Sequence, residues 1–318
     1  MNVSILTLNP GIDRIIYLPT AARLGTLNRA ERTVVNQGSK GANVAIMLKT
    51  LGAEPRYFTF GGGDMGAASL AFTNAAGVQT VTVDTAAGVR TNTKIIDSEG
   101  CCTEFNERGG PVSSSELTAI LDALYDSEPQ VVVMNGSLPQ GVDANVYACI
   151  ISHFRQRGAV TVLDCDGQAM RLGLGARPTL IKPNRRELAG IVGVEESQLD
   201  SLAAVYSACK KVHSQYGCAV ICTLDGDGSV YYDGDESYHV TAAPVVLQGF
   251  SGAGDTYLSA YIYSKFIQKT DTATALRYAS AAAGAKVALP GTSLPTVEQI
   301  ARLTDTVTTT PIDVSDGE

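Results

Sequence analysis

The apolar positions of this chain alternate between short continuous runs and stripes with helical spacing. The runs are bounded by turn residues and lie at 131–134, 160–163, 179–181 and 219–224. Such runs are typical of strands that are buried on both faces of a parallel sheet. Helical spacing links Val44, Met47, Leu48 and Leu51, then Leu258, Tyr261, Ile262 and Phe266, and the Ala-rich segment 275–287. The alternation predicts an α/β core with right-handed crossovers.

Two segments interrupt this rhythm, because residues 11–37 and 90–108 have β-like pattern without a helical stripe. The second segment resembles a hairpin with its turn at 97–100. We expect the two insertions to form one small sheet, a lid over the active site; an edge extension of the main sheet is the alternative. The predicted division is therefore an α/β core at 1–10, 38–89 and 109–318, with the lid at 11–37 and 90–108.

The charge balance restricts the partners that we expect. The 318 residues include 24 Lys and Arg against 32 Asp and Glu, and the net charge is −8. No basic run is present, which argues against nucleic acid or an anionic membrane as the main partner. No apolar stretch approaches the roughly 20 residues that span a bilayer. A pocket for a small anion remains compatible with this balance.

Cysteine and histidine usage indicates a reducing compartment. Seven Cys residues are scattered without a Cys-x-x-Cys motif, and the chain has three His. An odd number at irregular spacing argues against both a disulfide framework and a zinc cluster. We expect reduced thiols and a cytoplasmic location.

The segment from Ser251 to Thr256, Ser-Gly-Ala-Gly-Asp-Thr, carries the sharpest chemical signal. Its small residues Gly252, Ala253 and Gly254 open a helical stripe, so backbone N–H groups and the helix start can hold an anion such as a phosphoryl group. Asp255 would stand beside that anion and can accept a proton from an attacking hydroxyl. The alternative is a glycine-rich helix cap with a favourably placed Asp.

A second glycine-rich turn, Gly38-Ser39-Lys40-Gly41-Ala42-Asn43, also opens a helix. Lys40 in this turn suits an anionic or polyhydroxy ligand, and a solvated surface lysine is the alternative. The spacing differs from that of a Walker A loop, in which Lys follows the second Gly. Asp13 follows the first strand and can bind sugar hydroxyls or simply stabilise a turn. Ser137 follows another strand, at the carboxyl edge where ligands of α/β proteins bind.

The segment from Lys182 to Glu187 joins a strand to a helix. Asn184 and Glu187 are three residues apart and share one face of the first helical turn. Their oxygens can orient Mg²⁺ and its waters near phosphate oxygens. A capping box, with Asn184 as the cap, fits the same spacing.

Together these segments resemble the ribokinase-type sugar kinases. They are most similar to the phosphofructokinase-B branch that contains 1-phosphofructokinase and tagatose-6-phosphate kinase. Eight segments match in order over nearly the whole chain: 7–13, 38–44, 90–94, 103–107, 135–139, 182–187, 252–255 and 290–293. The resemblance implies a three-layer α/β/α core with a mostly parallel sheet and a small β-sheet lid, which commonly pairs with the lid of a second subunit in a homodimer.

The resemblance also implies a role for each matching residue. Asp255 matches the catalytic base, and Gly252, Ala253 and Gly254 match the anion hole. The positions that match the sugar and sugar-phosphate site are Asp13, Gly38, Lys40, Asn43, Arg90 and Arg29, with Ser137 nearby. Asn184, Thr223, Gly226 and Gly228 match the ATP site, and Glu187 matches a residue that orders Mg²⁺ through water.

Three positions depart from the family pattern near the nucleotide and anion sites. Asp225 replaces a usual Gly, and Gly249 and Phe250 replace a polar pair before the anion hole. A carboxylate near a polyphosphate predicts weaker ATP binding unless it points away. Ser39 also replaces a usual Gly.

The expected reaction is ATP- and Mg²⁺-dependent phosphorylation of a phosphorylated ketohexose, with fructose-1-phosphate favoured by the segment that contains Asn28 and Arg29. Tagatose-6-phosphate and fructose-6-phosphate are alternative substrates. A kinase of an unphosphorylated sugar or nucleoside is a further alternative. A sugar-phosphate sensor without catalysis is the remaining one, motivated by the departures from the family pattern.

Overall fold

The large sheet follows from the apolar runs. The structure, a computed structural model, describes residues 1–249, 251–291 and 293–312. Ten strands form the large sheet in the order β14 (Thr309–Pro311), β13 (Ser237–Val240), β12 (Ser229–Tyr232), β11 (Ala219–Thr223), β10 (Leu180–Ile181), β9 (Val160–Asp164), β8 (Val131–Asn135), β1 (Val3–Thr7), β4 (Arg56–Gly61) and β5 (Gln79–Asp84). Pairing is parallel from β11 to β5 and antiparallel from β11 to β14. The predicted mostly parallel α/β core is confirmed.

The helices cover both faces of this sheet. They are α1 (Lys40–Thr50), α2 (Gly63–Ala75), α3 (Ser114–Asp126), α4 (Val146–Arg155), α5 (Gly167–Gly175), α6 (Arg185–Val192), α7 (Leu202–Tyr216), α8 (Ala253–Ile262), α9 (Thr272–Val287) and α10 (Val297–Thr304). The predicted helical stripes fall in α1, α8 and α9, and the second stripe continues from α8 into a π-helical turn, Tyr263–Ile267.

The continuous apolar runs reflect two separate cores. In β8, Val131 and Val133 pack on the α1, α8 and α9 side of the sheet, whereas Val132 and Met134 pack on the side of α3 to α7. Successive side chains of a strand point to opposite faces, so a strand with helices on both sides needs apolar residues throughout.

The two interrupting segments form a separate four-stranded sheet, in the order β3 (Arg32–Gln37), β2 (Gly11–Tyr17), β6 (Arg90–Ile96) and β7 (Cys102–Asn106). β2 and β6 pair in parallel, while β6 and β7 form the predicted hairpin. The small sheet is therefore confirmed, and the large sheet is not extended by these strands. Because β1 leads directly into β2, the small sheet begins at the carboxyl edge of the large one.

Candidate active site

The turn that starts α8 lies at this edge. Gly252 is the N-cap residue and has φ 82°, a left-handed conformation that glycine adopts without steric cost. Gly252, Ala253 and Gly254 are half-buried, so the turn remains open to solvent. The free N–H groups and partial positive charge of a helix start make this turn suitable for an anion.

Asp255 follows the turn and is 7% exposed. Its Oδ2 accepts a hydrogen bond from Nδ2 of Asn43 on α1, 2.8 Å away. Burial raises the pKa of Asp255, and the opposing charge of Lys40 only partly offsets this. A carboxylate with a raised pKa beside an anion turn is suited to accept a proton from a hydroxyl.

A charged network connects Lys40 with the ends of two strands. Nζ of Lys40 lies 3.2 Å from Oδ1 of Asp164, the last residue of β9, and 3.9 Å from Oε1 of Glu187. Nζ of Lys182 lies 3.6 Å from the other oxygen of Asp164. The nearby carboxylates, Asp164 first, raise the pKa of Lys40, although the partial burial of this side chain acts in the opposite direction. Lys40 is thus a permanent cation within a charged network, which differs from the alternative of a solvated surface lysine.

Lys182 also adjoins the anion turn, because a Cβ built on Gly254 would lie 3.3 Å from its Nζ. Lys182 and Asp164 had no assigned role in the sequence interpretation. Burial alone would raise the pKa of Asp164, but Lys182 and Lys40 hold it below its ordinary value. The Lys182 ammonium therefore approaches the turn, and the carboxylate of Asp164 lies between it and the ammonium of Lys40.

Asn184 and Glu187 form a capping box at the start of α6. The Asn184 side chain accepts from the backbone N–H of Glu187, and Oε2 of Glu187 accepts from the backbone N–H of Asn184. The second Glu187 oxygen, Oε1, faces Lys40 and has no hydrogen bond among the described residues. The cap therefore fixes Glu187 while leaving one oxygen available to a metal-bound water.

These residues fit Mg²⁺ only when other ligands complete its shell. In the described part of the chain, no group of three His, Cys, Asp or Glu residues is arranged to hold a metal ion. Mg²⁺ keeps several waters and takes phosphate oxygens as ligands, so a single oriented carboxylate is sufficient.

Asp13 on β2 links the small sheet to this edge and is 5% exposed. It accepts from Nδ2 of Asn92 at 3.1 Å and pairs with Nζ of Lys94 at 2.9 Å. Lys94 also donates to Oγ of Ser251, just before the anion turn, at 3.3 Å. Gly38 packs so closely on Asp13 that a Cβ there would collide with its carboxylate and backbone. Asp13 is therefore held in a charged site rather than in a simple turn.

Arg90 starts β6, opposite Gly11 in the small sheet. One guanidinium nitrogen donates to the carbonyl of Glu107 at 2.6 Å, while Nε is buried and has no hydrogen-bond partner among residues 1–249, 251–291 and 293–312. Burial lowers the pKa of Arg90, and Asp13 acts in the opposite direction. Arg29 lies apart, on an exposed loop, and has no hydrogen bond or ion pair within the described part of the chain.

The remaining predicted positions, one in the sugar site and three in the nucleotide site, differ in their surroundings. Oγ of Ser137 accepts from Nδ2 of Asn9 at 3.0 Å. Thr223 forms an isolated parallel β-bridge with Asn184, which places the end of β11 beside the start of α6. Gly228 has φ 90° and no room for a Cβ, whereas Gly226 is open.

Asp225 has φ 52°, a left-handed conformation that explains why glycine suits this position, and its side chain is exposed. Gly249 packs against the carbonyls of Leu289 and Gly291. Phe250 lies outside the described residues.

The pfkB family of carbohydrate kinases matches this chain over residues 6–299. The chain belongs to this family. It is therefore a carbohydrate kinase, as the resemblance predicted.

Curated relatives and solved structures extend this match over most of the chain. The 1-phosphofructokinase of Haemophilus influenzae is 30% identical over 85% of this chain and 87% of the relative. That of Rhodobacter capsulatus is 28% identical over 97% of both chains. The phosphofructokinase-2 from Escherichia coli in complex with potassium has a TM-score of 0.88 at 24% identity, covering 96% of this chain and 98% of that one. This last likeness concerns the fold.

Within the described residues, no helix combines the length and apolar character of a bilayer span.

Proposed function

We propose that this carbohydrate kinase transfers the γ-phosphoryl group of ATP to the free terminal hydroxyl of a phosphorylated ketohexose. The favoured reaction converts fructose-1-phosphate to fructose-1,6-bisphosphate, and the names of the curated relatives support this substrate. One observation carries the proposal: Asp255 is buried, oriented by Asn43, and adjoins a half-buried glycine turn with lysines around it.

Asp255 is the general base in this proposal. It accepts the proton of the sugar hydroxyl, the oxygen bonds to the γ-phosphorus, and the bond to the bridging oxygen of ADP breaks. The N–H groups of the Gly252–Gly254 turn and the ammonium of Lys182 stabilise the negative charge on the transferred group. Mg²⁺, when bound, neutralises charge on the ATP phosphates, and Glu187 orients its water shell.

The sugar phosphate lies between the two sheets. Asp13 and Asn43 bind its hydroxyls, and Gly38 permits close approach of the backbone. Arg90 binds its phosphate. This is supported by its Nε, which has no hydrogen-bond partner in the described part of the chain. The exposed Arg29 reaches the same phosphate after the lid closes. Lys40 and Ser137 line the site on the core side.

The nucleotide lies along the second half of the large sheet, against Asn184, Thr223, Gly226 and Gly228. The bridge between Thr223 and Asn184 supports this placement because it joins two of these positions. In this arrangement the exposed Asp225 carboxylate weakens ATP binding without preventing it.

The small sheet, residues 11–37 and 90–108, acts as a lid on the core formed by 1–10, 38–89 and 109–318, and pairs with the lid of a second subunit. Exposed apolar side chains support this pairing: Leu24 and Leu27 on the loop after β2 are 98% and 76% exposed, and Phe105 on β7 is 57% exposed.

A coupled ADP-release assay over fructose-1-phosphate, tagatose-6-phosphate, fructose-6-phosphate, neutral sugars and nucleosides tests the proposal. We expect the highest kcat/KM with fructose-1-phosphate. A higher value with any neutral sugar or nucleoside contradicts the sugar-phosphate assignment. Calorimetric titration with MgATP gives an independent check, because a sensor that has lost its nucleotide site shows no binding.

A further inference from the structure

Lys286 is a buried cation without a carboxylate partner. It lies in the last turn of α9 and is 1% exposed. Its Nζ donates to the backbone carbonyl of Gly291 at 2.8 Å. Across residues 1–249, 251–291 and 293–312 it makes no ion pair. Lysine is almost never fully buried unless paired, because removing an ammonium from water is costly.

Lys286 lies beside the anion turn. A Cβ built on Gly252 would lie 3.4 Å from Cε of Lys286, so this side chain adjoins the turn that begins α8. The turn already carries the partial positive charge of a helix start. Burial lowers the pKa of Lys286, and the charge of Asp255 at the same helix start acts against this, although the two form no ion pair among the described residues. An ammonium beside a helix start therefore favours an anion that joins them when the protein works.

The backbone of the following loop holds the ammonium in place. Gly291 has φ 60°, a conformation that favours glycine, and this directs its carbonyl to Nζ. An ammonium has three N–H donors, of which the carbonyl uses one. Two donors therefore remain for oxygens of a ligand.

We propose that Lys286 is a catalytic residue that binds oxygens of the phosphoryl group during transfer. The inference rests on the proposed function, in which that group lies at the Gly252–Gly254 turn. Lys286 transfers no proton in this step: the proton of the sugar hydroxyl passes to Asp255, the sugar oxygen bonds to the γ-phosphorus, and the bond from the γ-phosphorus to the bridging oxygen of ADP breaks. Lys182 approaches the same turn beside Gly254, but its ammonium already faces the carboxylate of Asp164. Lys286, in contrast, forms no ion pair with any carboxylate of the described residues, so its positive charge is available to the phosphoryl group.

The variant K286M tests this role because methionine replaces the ammonium with an apolar group of similar length. We expect kcat to fall about 10²- to 10³-fold, as for loss of one donor to a developing charge, with the KM for the sugar nearly unchanged. The melting temperature should not decrease, since an unpaired buried charge is removed. K286R should retain more activity than K286M. Lys265 lies in the π-helical turn after α8 and donates to Thr272, the first residue of α9. It provides the control variant K265M, with unchanged kcat expected.

A structural role for Lys286 predicts a different result. Wild-type kcat in K286M overturns the proposal, and so does a loss of kcat that is matched by a comparable loss of folded protein in both K286M and K286R. Binding of inorganic pyrophosphate, measured as a rise in melting temperature, provides a test that needs no sugar. We expect this rise in the wild type and its loss in K286M.

The pyrophosphate measurement also separates the two proposals. If the wild type phosphorylates no sugar phosphate, the proposed function fails, and the pyrophosphate result alone decides the role of Lys286. An equal rise in melting temperature in the wild type and K286M then refutes anion binding by Lys286.

Discussion

Replacing Asp255 with Asn removes the proposed base while preserving the shape of the side chain. The amide keeps an oxygen that can accept from Nδ2 of Asn43, so the 2.8 Å contact can persist. The glycine turn and its lysines are not altered. The variant therefore isolates proton transfer from the rest of the site.

The expected loss follows from the chemistry of general bases. A positioned base contributes about 10²- to 10⁴-fold to the rate. At about 1.36 kcal/mol for each factor of ten, this corresponds to an increase of roughly 2.7–5.4 kcal/mol in the activation free energy. The KM for the sugar should change little, because the hydrogen bond from Asn43 and the packing of Asp13 against Gly38 remain.

The same variant should lose activity without losing thermal stability. Burial raises the pKa of Asp255, so the folded protein binds a proton more readily than the unfolded chain. The stability that this group contributes at acid pH is lost as the pH rises through its folded pKa. At pH 7 the wild type therefore bears the cost of an ionised, buried carboxylate, and D255N should melt at the same temperature or higher.

Steady-state kinetics and thermal unfolding, with D122N on the exposed face of α3 as the control, measure both effects. The rate of the wild type should also fall as the pH is lowered, with a midpoint above the ordinary pKa of an Asp side chain. A D255N variant with turnover within a factor of ten of the wild type would refute the assignment of the base. The stability argument concerns the difference in melting temperature between D255N and the wild type. It would be refuted if this difference were less favourable to D255N at pH 7 than at pH 5.

Three further variants test the ligand sites. G38A should lower kcat/KM at least tenfold, because its Cβ displaces Asp13; sugar kinetics measure this. R90A should raise the KM for sugar phosphates but not for neutral sugars, since a charge-assisted hydrogen bond is worth about 1.5–3 kcal/mol; kinetics with both substrate classes decide it. D225G should lower the KM for MgATP because it removes a negative charge near the nucleotide, as nucleotide titration will show, and glycine adopts φ 52° without steric cost.

Each of these variants has a contrary outcome, and G38A and R90A also have a control variant. G175A, where a Cβ meets open space, should be neutral, and equal activity in G38A contradicts the packing argument. R56A on β4 should leave all KM values unchanged; an equal rise for neutral and phosphorylated sugars in R90A removes Arg90 from the phosphate site. For D225G, an unchanged KM for MgATP means that the carboxylate lies away from the nucleotide.

Local patterns in the chain were sufficient to predict the architecture. Apolar runs such as 131–134 specify strands that need helices on both faces, and the absence of a stripe in 11–37 marks the small sheet. The glycine-rich turn before Asp255 was equally visible, because small residues before a helical stripe are a property of neighbouring positions. In each case the physical signal lies within one continuous segment of the chain.

The partners of these residues are set by distant contacts. Lys40 meets Asp164 across 124 positions, and Lys94 meets Ser251 across 157, through crossovers that bring the strand ends to one edge. Lys286 lies in an Ala-rich helix, where nothing nearby in the chain indicates a charged pocket. Its burial and its lack of a carboxylate partner in the described part of the chain arise from packing of α9 beside the turn that starts α8. Local pattern places the base and the anion turn, whereas long-range packing sets the charge around them.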